Sequence, residues 1–494
     1  MLVVFSCSAL AQQRSAKRGI GWDEKTQALS EATISKMAPG ISWVYNWGIT
    51  PKDPSLFSAE GEMVFVPMCW NALSNASETA LRNYLSNHSE VKLLLGFNEP
   101  NFSAQANMTP QQAVNAWPKL EQIAADYGLE LAAPALNFTG ETVGGRVWGP
   151  YEWYDEFFRL YPTAKVDYLV LHCYMNWFSS TLWFATEYFY KDLYNAQKSE
   201  VYGKYPNLVA FLDGYKQQHG HFPRMYLTEF CAWEGNKDGF VLNADSQLDQ
   251  MTQKVQKLEQ SDLVAGYAWF MGNAGGGASS YPYMSIFQQD VSTSPLSTLG
   301  TVYTYMSSFD ASKYYVPGEM IVAKDYINAS TDNQQVRLRP NTETGSDIPL
   351  QVQWGTSSWM SYQMDIATEG QYDLTLHMQS SAASSFRLYR NATGSGNRLT
   401  DTMTLPSTNG QWADVTTTVT LPAGKYAMLI YNMSTTTVLV NALQLKTTTA
   451  VSEKVKVKSE KFASATEWYD LSGRKVGKPQ KKGVYIVNGK KIVM

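Results

Sequence analysis

Two short stretches place a carboxylate where an apolar run stops. In LLLGFNEPN, residues 93–101, leucines, a glycine and a phenylalanine lead into Asn98, Glu99 and Pro100. In YLTEF, residues 226–230, Glu229 follows Leu227 and Thr228. A third run, LHCYM at 171–175, closes on His172 and Tyr174, two apart and so on one face of a strand. Trp43, Trp47, Trp70, Trp233 and Trp269 lie in or just past further apolar runs. Paired carboxyls beside such groups suit cleavage of an acetal. One carboxyl protonates the departing oxygen while the other meets the oxocarbenium-like centre. Their surroundings must keep one protonated and the other ionised near neutral pH. Indoles offer flat platforms to the C–H face of a sugar, and polar side chains read its hydroxyls. Taken singly, each residue has a plainer reading: a strand-end glutamate caps a helix or pairs with a cation, and a lone histidine fills a core.

Convergence therefore depends on the elements that carry these residues. Eight short apolar runs occur between residues 17 and 312: 18–22, 42–48, 63–70, 91–100, 129–136, 166–175, 224–233 and 264–271. Segments with apolar residues at helical spacing, such as 109–127 and 245–260, separate them. TPQQAVNAW opens with Thr109 as N-cap and Pro110 at the first helical position. Near-continuous apolar strands alternating with helices indicate a parallel sheet. Eight in this length predict a (β/α)8 TIM barrel, whose functional groups collect at the C-terminal strand ends. An open doubly wound sheet is the alternative, but no G-x-G-x-x-G follows the first strand. The glycine-rich GNAGGGASS at 272–280 lacks the lysine of a phosphate loop and reads as a loop flanking the cleft.

Beyond residue 312 helical periodicity gives way to alternation, as in QYDLTLHMQ and KYAMLIYNM, with turns such as PAGKY. Residues 313–447 thus predict an antiparallel β-sandwich or jelly roll. Residues 448–465 read as a linker, and 466–494 as a small C-terminal β segment. Net charge is −4 over 494 residues, but residues 451–494 hold eleven Lys or Arg against four Asp or Glu. The acidic remainder argues against a nucleic-acid enzyme. Residues 1–16 begin MLVVFSCSALAQQ, an apolar run before Ala9-Leu10-Ala11, expected to be the remnant of a secretory signal. A lipoprotein reading at Cys7 fits less well. A secreted, periplasmic or cell-surface location follows, and no later segment is apolar enough to span a membrane. Cys69, Cys173 and Cys231 share no metal-ligand spacing and read as packing residues, so neither metal nor cofactor is implied.

GFNEPN together with YLTEF resembles the retaining glycosidases of clan A, and VYNWG, FVPMCW, LHCYM and YAWF narrow the resemblance to glycoside hydrolase family 128. It implies a β-1,3-glucanase, endo- or exo-acting, whose partner is β-1,3-glucan, and the chain is expected to be a monomer. By this resemblance Glu99 is the general acid/base, Glu229 the nucleophile, and Asn98 the partner of the sugar 2-hydroxyl. His172 and Tyr174 orient the nucleophile and the bound sugar, and the five tryptophans are candidate subsite walls. Cys173 stands where a tryptophan is expected and should point out of the barrel. The second domain resembles family 6 carbohydrate-binding modules through PGEMIVAKDY and WADVTTTVTLPAGKY, with Trp412 at the stacking position. Lys324 replaces a glutamate of that pattern and Leu439 a ligand-binding asparagine. The tail, through YDLSGRKV and GVYIVNGKK, resembles Bacteroidota-type C-terminal sorting segments. Two other readings stay open: a clan A hydrolase of β-1,6-glucan, mannan or galactan, and a non-catalytic surface glycan-binding protein.

Overall fold

The computed structural model describes residues 14–137, 141–174, 176, 208–233, 235–236, 240–273, 283–288, 294–330 and 335–448. It also describes four short strands between 468 and 493. Residues 1–13 of the expected signal remnant, the linker from residue 449 and most of the glycine-rich loop lie outside the described residues.

Each of the eight apolar runs contains a strand: β1 Arg18–Gly21, β2 Trp43–Tyr45, β3 Val64–Phe65, β4 Leu93–Leu95, β5 Glu130–Ala132, β6 Tyr168–Cys173, β7 Arg224–Phe230 and β8 Val264–Trp269. They form one parallel sheet in the order β3-β2-β1-β8-β7-β6-β5-β4. Its two ends come together just beyond β3: Met68 bridges Leu95 of β4, and Leu95 N–H donates to the Pro67 carbonyl at 2.9 Å. Seven helices flank the sheet among the described residues: α1 Glu31–Met37, α2 Asn75–Asn87, α3 Pro110–Tyr127, α4 Pro150–Leu160, α5 Leu208–His219, α6 Ala244–Gln260 and α7 Thr298–Tyr305. The start of α3 is as its sequence requires, Thr109 and Gln112 forming a reciprocal capping box with Pro110 in the first turn. No helix among the described residues is long and apolar enough to cross a membrane.

Alternation along the strands separates two cores. Tyr45, Met68, Leu95, Tyr168 and Val170 pack together on one face of the sheet. The other face joins the helices through Val44, Leu94, Leu171 and Cys173. Cys173 therefore points away from the interior cluster, and all three described cysteines are buried and unbridged. Aromatic side chains fill the floor of the interior. The Trp43 ring lies 5.8 Å from that of Tyr226, and Tyr226 lies 5.0 Å from Tyr168. Glycine makes room for them: a Cβ at Gly19 would stand 2.2 Å from the Trp43 ring, and one at Gly266 2.2 Å from Tyr226.

Residues beyond 312 form two antiparallel sheets. One runs Val336–Pro340, Leu350–Trp354, Val438–Thr447, Gly370–Gln379, Ala413–Leu421, with Met320–Val322 also paired to Val438–Thr447. The other runs Asn328–Ala329, Trp359–Ile366, Gly424–Asn432, Ser384–Arg390, Met403–Leu405. Their buried faces meet, the Trp354 ring 6.5 Å from Phe386. Residues up to 448 form one compact unit, within which the architecture changes near residue 312. Residues 449–494 form a second unit, whose described strands make a four-stranded antiparallel sheet.

Apolar residues run continuously across the seam between the parallel sheet and the antiparallel sheets, as where the Phe309 ring lies 5.6 Å from Tyr326, and polar links add to them. Arg339 donates to Asp249 on α6 at 2.9 Å, Arg337 reaches the other Asp249 oxygen at 3.3 Å, and Gln256 donates to Asn328 at 2.7 Å. Asp249 is 6% and Arg339 8% exposed, so removing one partner strands a desolvated charge. The variant Asp249→Ala should lose about 3–5 kcal/mol of stability in urea unfolding; a loss below about 1 kcal/mol would show that water screens the pair.

Candidate active site

Both glutamates lie within the described structure, at the C-terminal ends of β4 and β7, and they meet. A carboxylate oxygen of Glu99, one of Glu229 and a ring nitrogen of His172 all lie within 4.8 Å of one another. The three residues are 4%, 5% and 0% exposed. Adjacent strand residues normally face opposite ways, yet Thr228 and Glu229 both reach His172 or its neighbours. Pairing shifts register here: Leu171 sits opposite Leu227, but His172 sits opposite Glu229. That bulge at Thr228 turns two successive side chains to one side, as bulges next to active sites do.

His172 bridges the two strand ends. Its Nδ1 lies 2.7 Å from Glu99 Oε1 and 3.4 Å from Glu229 Oε2, and its Nε2 lies 3.0 Å from Thr228 Oγ1. The sequence resemblance assigned His172 to the nucleophile and the sugar; its shorter contact is with Glu99. Burial alone would lower the imidazole pKa, but the Glu229 charge and the hydrogen bond and charge of Glu99 hold it above its ordinary value. Tyr174 contacts Glu229 as expected, its hydroxyl donating to Oε2. Trp47 Nε1–H donates to Glu229 Oε1 at 2.6 Å. Burial pushes the Glu229 carboxyl up and the Glu99 charge adds to that, while His172, Tyr174 and Trp47 pull it down; the balance leaves it above the usual carboxylate range.

Four residues that shape the site are not among the sequence candidates. Tyr45 OH donates to the Thr228 carbonyl at 2.9 Å and lies 3.4 Å from Glu229 Oε1. Period two along β2 carried the signal, since 43, 45 and 47 share a face. Asn137 Nδ2–H donates to Glu99 Oε1 at 2.7 Å. Asn101 holds Asn137 in place through a reciprocal pair, at 2.7 Å to its carbonyl and 2.9 Å from its N–H. No local pattern marks Asn137, because its role arises only where the segment after β5 passes β4. Phe270 packs edge-on to Trp47 at 5.8 Å and to Tyr174 at 5.5 Å, and parallel to Trp233 at 5.5 Å.

Two proposed walls are elsewhere. Trp269 is fully buried, its Nε1–H bonded to the Met284 carbonyl and its ring against Phe230 and Tyr303. Ala268 faces the interior, so alternation turns Trp269 outward and leaves Phe270, one residue later, to meet the site. Trp43, 6% exposed and bonded to the Lys17 carbonyl, belongs to the floor. Of the rest, Trp47 touches Glu229 and Trp233 is 41% exposed with its ring 5.3 Å from Tyr174. Trp70, partly buried, accepts the Asn98 N–H on its carbonyl at 2.9 Å. Gln247 of α6 grips both polar groups of the Ala232 backbone, at 3.0 and 3.1 Å, just before Trp233. Asn98 is 3% exposed; its amide donates to Gln105 at 3.3 Å while its Oδ1 is buried without a partner.

On the antiparallel sheets, Trp412 is half-buried and stacks on His377 at 5.7 Å and 11°. His377 lies between Glu343 at 2.8 Å and Asp414 at 2.6 Å. Lys324 is buried against Asp325 at 2.7 Å, and the last strand offers Asn441, bonded to Glu343 at 2.6 Å, rather than Leu439.

Comparison with curated proteins finds no match. Among solved structures, the chain is similar to a GH128 subgroup II endo-β-1,3-glucanase from Pseudomonas viridiflava, at 31% identity over 59% of this chain and 98% of that one, with a TM-score of 0.44. A subgroup I endo-β-1,3-glucanase from Amycolatopsis mediterranei, in complex with laminaritriose, matches at 26% identity over 59% and 99%, with a TM-score of 0.38. A subgroup III curdlan-specific exo-β-1,3-glucanase from Blastomyces gilchristii matches at 21% over 52% and 89%, with a TM-score of 0.36. The family model described as the glycosyl hydrolase catalytic core matches residues 19–197 and 193–303, which takes in β1 from its second residue, the other seven strands and both glutamates. The chain belongs to that family and is a glycoside hydrolase.

Proposed function

We propose that this chain is an exported retaining β-1,3-glucanase built on a (β/α)8 barrel, with a glycan-binding β-sandwich behind it. The observation that carries the mechanism is the approach of Glu99 and Glu229 to within 4.8 Å, oxygen to oxygen. Inverting pairs stand about 6.5–9.5 Å apart to admit a water, whereas about 5–5.5 Å suits direct attack. Glu229 attacks the anomeric carbon as Glu99 protonates the departing oxygen. Glu99 then takes a proton from the water that releases the glycosyl-enzyme. The donors from Trp47 and Tyr174 on the two Glu229 oxygens favour the carboxylate form that attack requires. The unpartnered Asn98 Oδ1 supports its reading as acceptor for a sugar hydroxyl, because a buried acceptor costs free energy until it is met. The β-1,3-glucan assignment rests on the companion strings VYNWG, FVPMCW, LHCYM and YAWF. Exposed Trp233 and half-buried Phe270 then serve as the apolar wall.

Incubation with laminarin, curdlan, barley β-glucan and mannan, beside Glu229→Gln, tests the substrate and the nucleophile together. Release from the β-1,3-glucans should fall by on the order of a thousandfold or more in the variant. Equal release by Glu229→Gln, or preference for mannan, would overturn the reading. With an activated aryl β-glycoside, whose phenolate leaves without a proton from Glu99, azide should restore turnover to Glu99→Ala, with a glycosyl azide of retained configuration as product.

The pH profile supplies a second check. Hydrogen bonding from Tyr174 lowers the Glu229 pKa, so Tyr174→Phe raises it. The acidic limb of kcat/KM, which requires ionised Glu229, should move to higher pH by about one unit, the equivalent of one charge-assisted hydrogen bond. A limb that stays in place, or moves down, would remove Glu229 as the group that must ionise.

For the sandwich, Trp412→Ala should reduce retention of the full chain on insoluble curdlan and leave hydrolysis of short soluble oligosaccharides unchanged. Unaltered retention would sink the binding role.

A further inference from the structure

Trp47 reaches Glu229 from an unusual backbone position. Its φ is 59°, in the left-handed region that a bulky residue enters only when its surroundings hold it there. The preceding Asn46 provides part of the hold: its Oδ1 accepts the Gly48 N–H at 2.8 Å, and its Nδ2 donates to the Thr50 carbonyl at 3.0 Å. The second Nδ2 bond, at 2.7 Å, goes to Glu24 Oε2 on the loop after β1. Glu24 is 4% exposed and gathers two more donors, Lys52 N–H at 2.9 Å and Leu29 N–H at 3.3 Å. A buried carboxylate thus ties the β1 loop to both sides of the turn that presents Trp47.

We propose that Glu24 is a positioning residue for the reaction: through Asn46 it fixes the β2 loop so that the Trp47 indole donates to Glu229. It touches neither the carboxylate pair nor a site for substrate. Its effect is transmitted by the 2.6 Å Trp47–Glu229 bond, and it rests on the reading of Glu229 as the reacting carboxylate. Packing alone does not replace the link. The Trp47 ring meets Tyr45 at 5.0 Å and Phe270 at 5.8 Å, both edge-on. Contacts of that kind tolerate rotation, whereas a 2.6 Å hydrogen bond does not.

The test compares Glu24→Ala, Glu24→Gln, Trp47→Phe and the Glu24→Ala/Trp47→Phe pair. Glu24→Ala should lower kcat roughly tenfold or more, as expected when a charge-assisted hydrogen bond is lost. It should also shift the acidic limb of the pH profile upward, because the Trp47 bond lowers the Glu229 pKa. Glu24→Gln keeps an oxygen for Asn46 and Lys52, and should remain near the parent in both measures. The double variant should be no worse than Trp47→Phe alone, since both remove one interaction. If Glu24→Ala does not fold, Asn46→Ala breaks the same link and should show the same limb shift. Indole N–H resonances of tryptophan-labelled protein, with Trp47 assigned by its loss in Trp47→Phe, report the bond without reference to activity. That signal should move upfield in Glu24→Ala even if Glu229 proves not to be the nucleophile. An unmoved indole signal, or a Glu24→Ala effect that adds in full to that of Trp47→Phe, would overturn the proposal.

Discussion

Glu229 is a carboxylate held almost entirely out of water, and most of the site is an answer to that fact. A charged group so placed needs donors fixed in advance, because water is not there to reorient around it. Trp47 and Tyr174 each contact one of its oxygens, with a longer bond of 3.4 Å from Tyr45. They come from the ends of two different strands, β2 and β6, so the carboxylate depends on the curl of the sheet as well as on its own strand. Burial still wins by a margin, which leaves Glu229 easier to protonate than an exposed glutamate. The same burial keeps the phenols of Tyr45 and Tyr174 well above their ordinary pKa, with the Glu229 charge adding to it, and so keeps them donors.

Beneath this layer the interior is solid. Trp43, Tyr168 and Tyr226 fill the floor, and Gly19 and Gly266 leave the space their rings occupy. A packed floor gives the layer above a fixed height, which is how the parallel-sheet interior serves a site that its strand ends carry. The Thr228 bulge then does what regular pleating forbids, turning Thr228 toward His172 and Glu229 toward the indole and phenol donors.

The antiparallel sheets share a continuous apolar core with this body, and α6 adds polar links across the join. That helix reads in sequence as strongly polar, with glutamines at 247, 250, 253, 256 and 260. Yet Gln247, Lys254 and Gln256 are essentially buried. Gln256 and Asp249 face the antiparallel sheets, whereas Gln247 holds Ala232 beside Trp233. One helix therefore braces the second architecture and the rim of the site together.

All eight strands, the Thr109–Pro110 helix start and the pairing of Glu99 with Glu229 were legible in the sequence. Each depends on local periodicity, or on a carboxylate interrupting an apolar run, and the chain writes such signals in order. The tertiary structure decided the rest. Trp269 and Phe270 differ by one position, and one step of pleat sends the first into the helix layer and the second to the cleft. Trp43 and Trp47 share a face but differ in height, which residue type does not encode. Asn137, Asn101 and Glu24 act across segments tens of residues apart, where only the parallel pairing of β4 with β5 and of β1 with β2 makes them neighbours. Sequence determined which groups could do chemistry and on which strands. Packing decided which of them meet, because hydrogen bonds and ring contacts reach only a few ångströms and the chain alone does not say what lies that near.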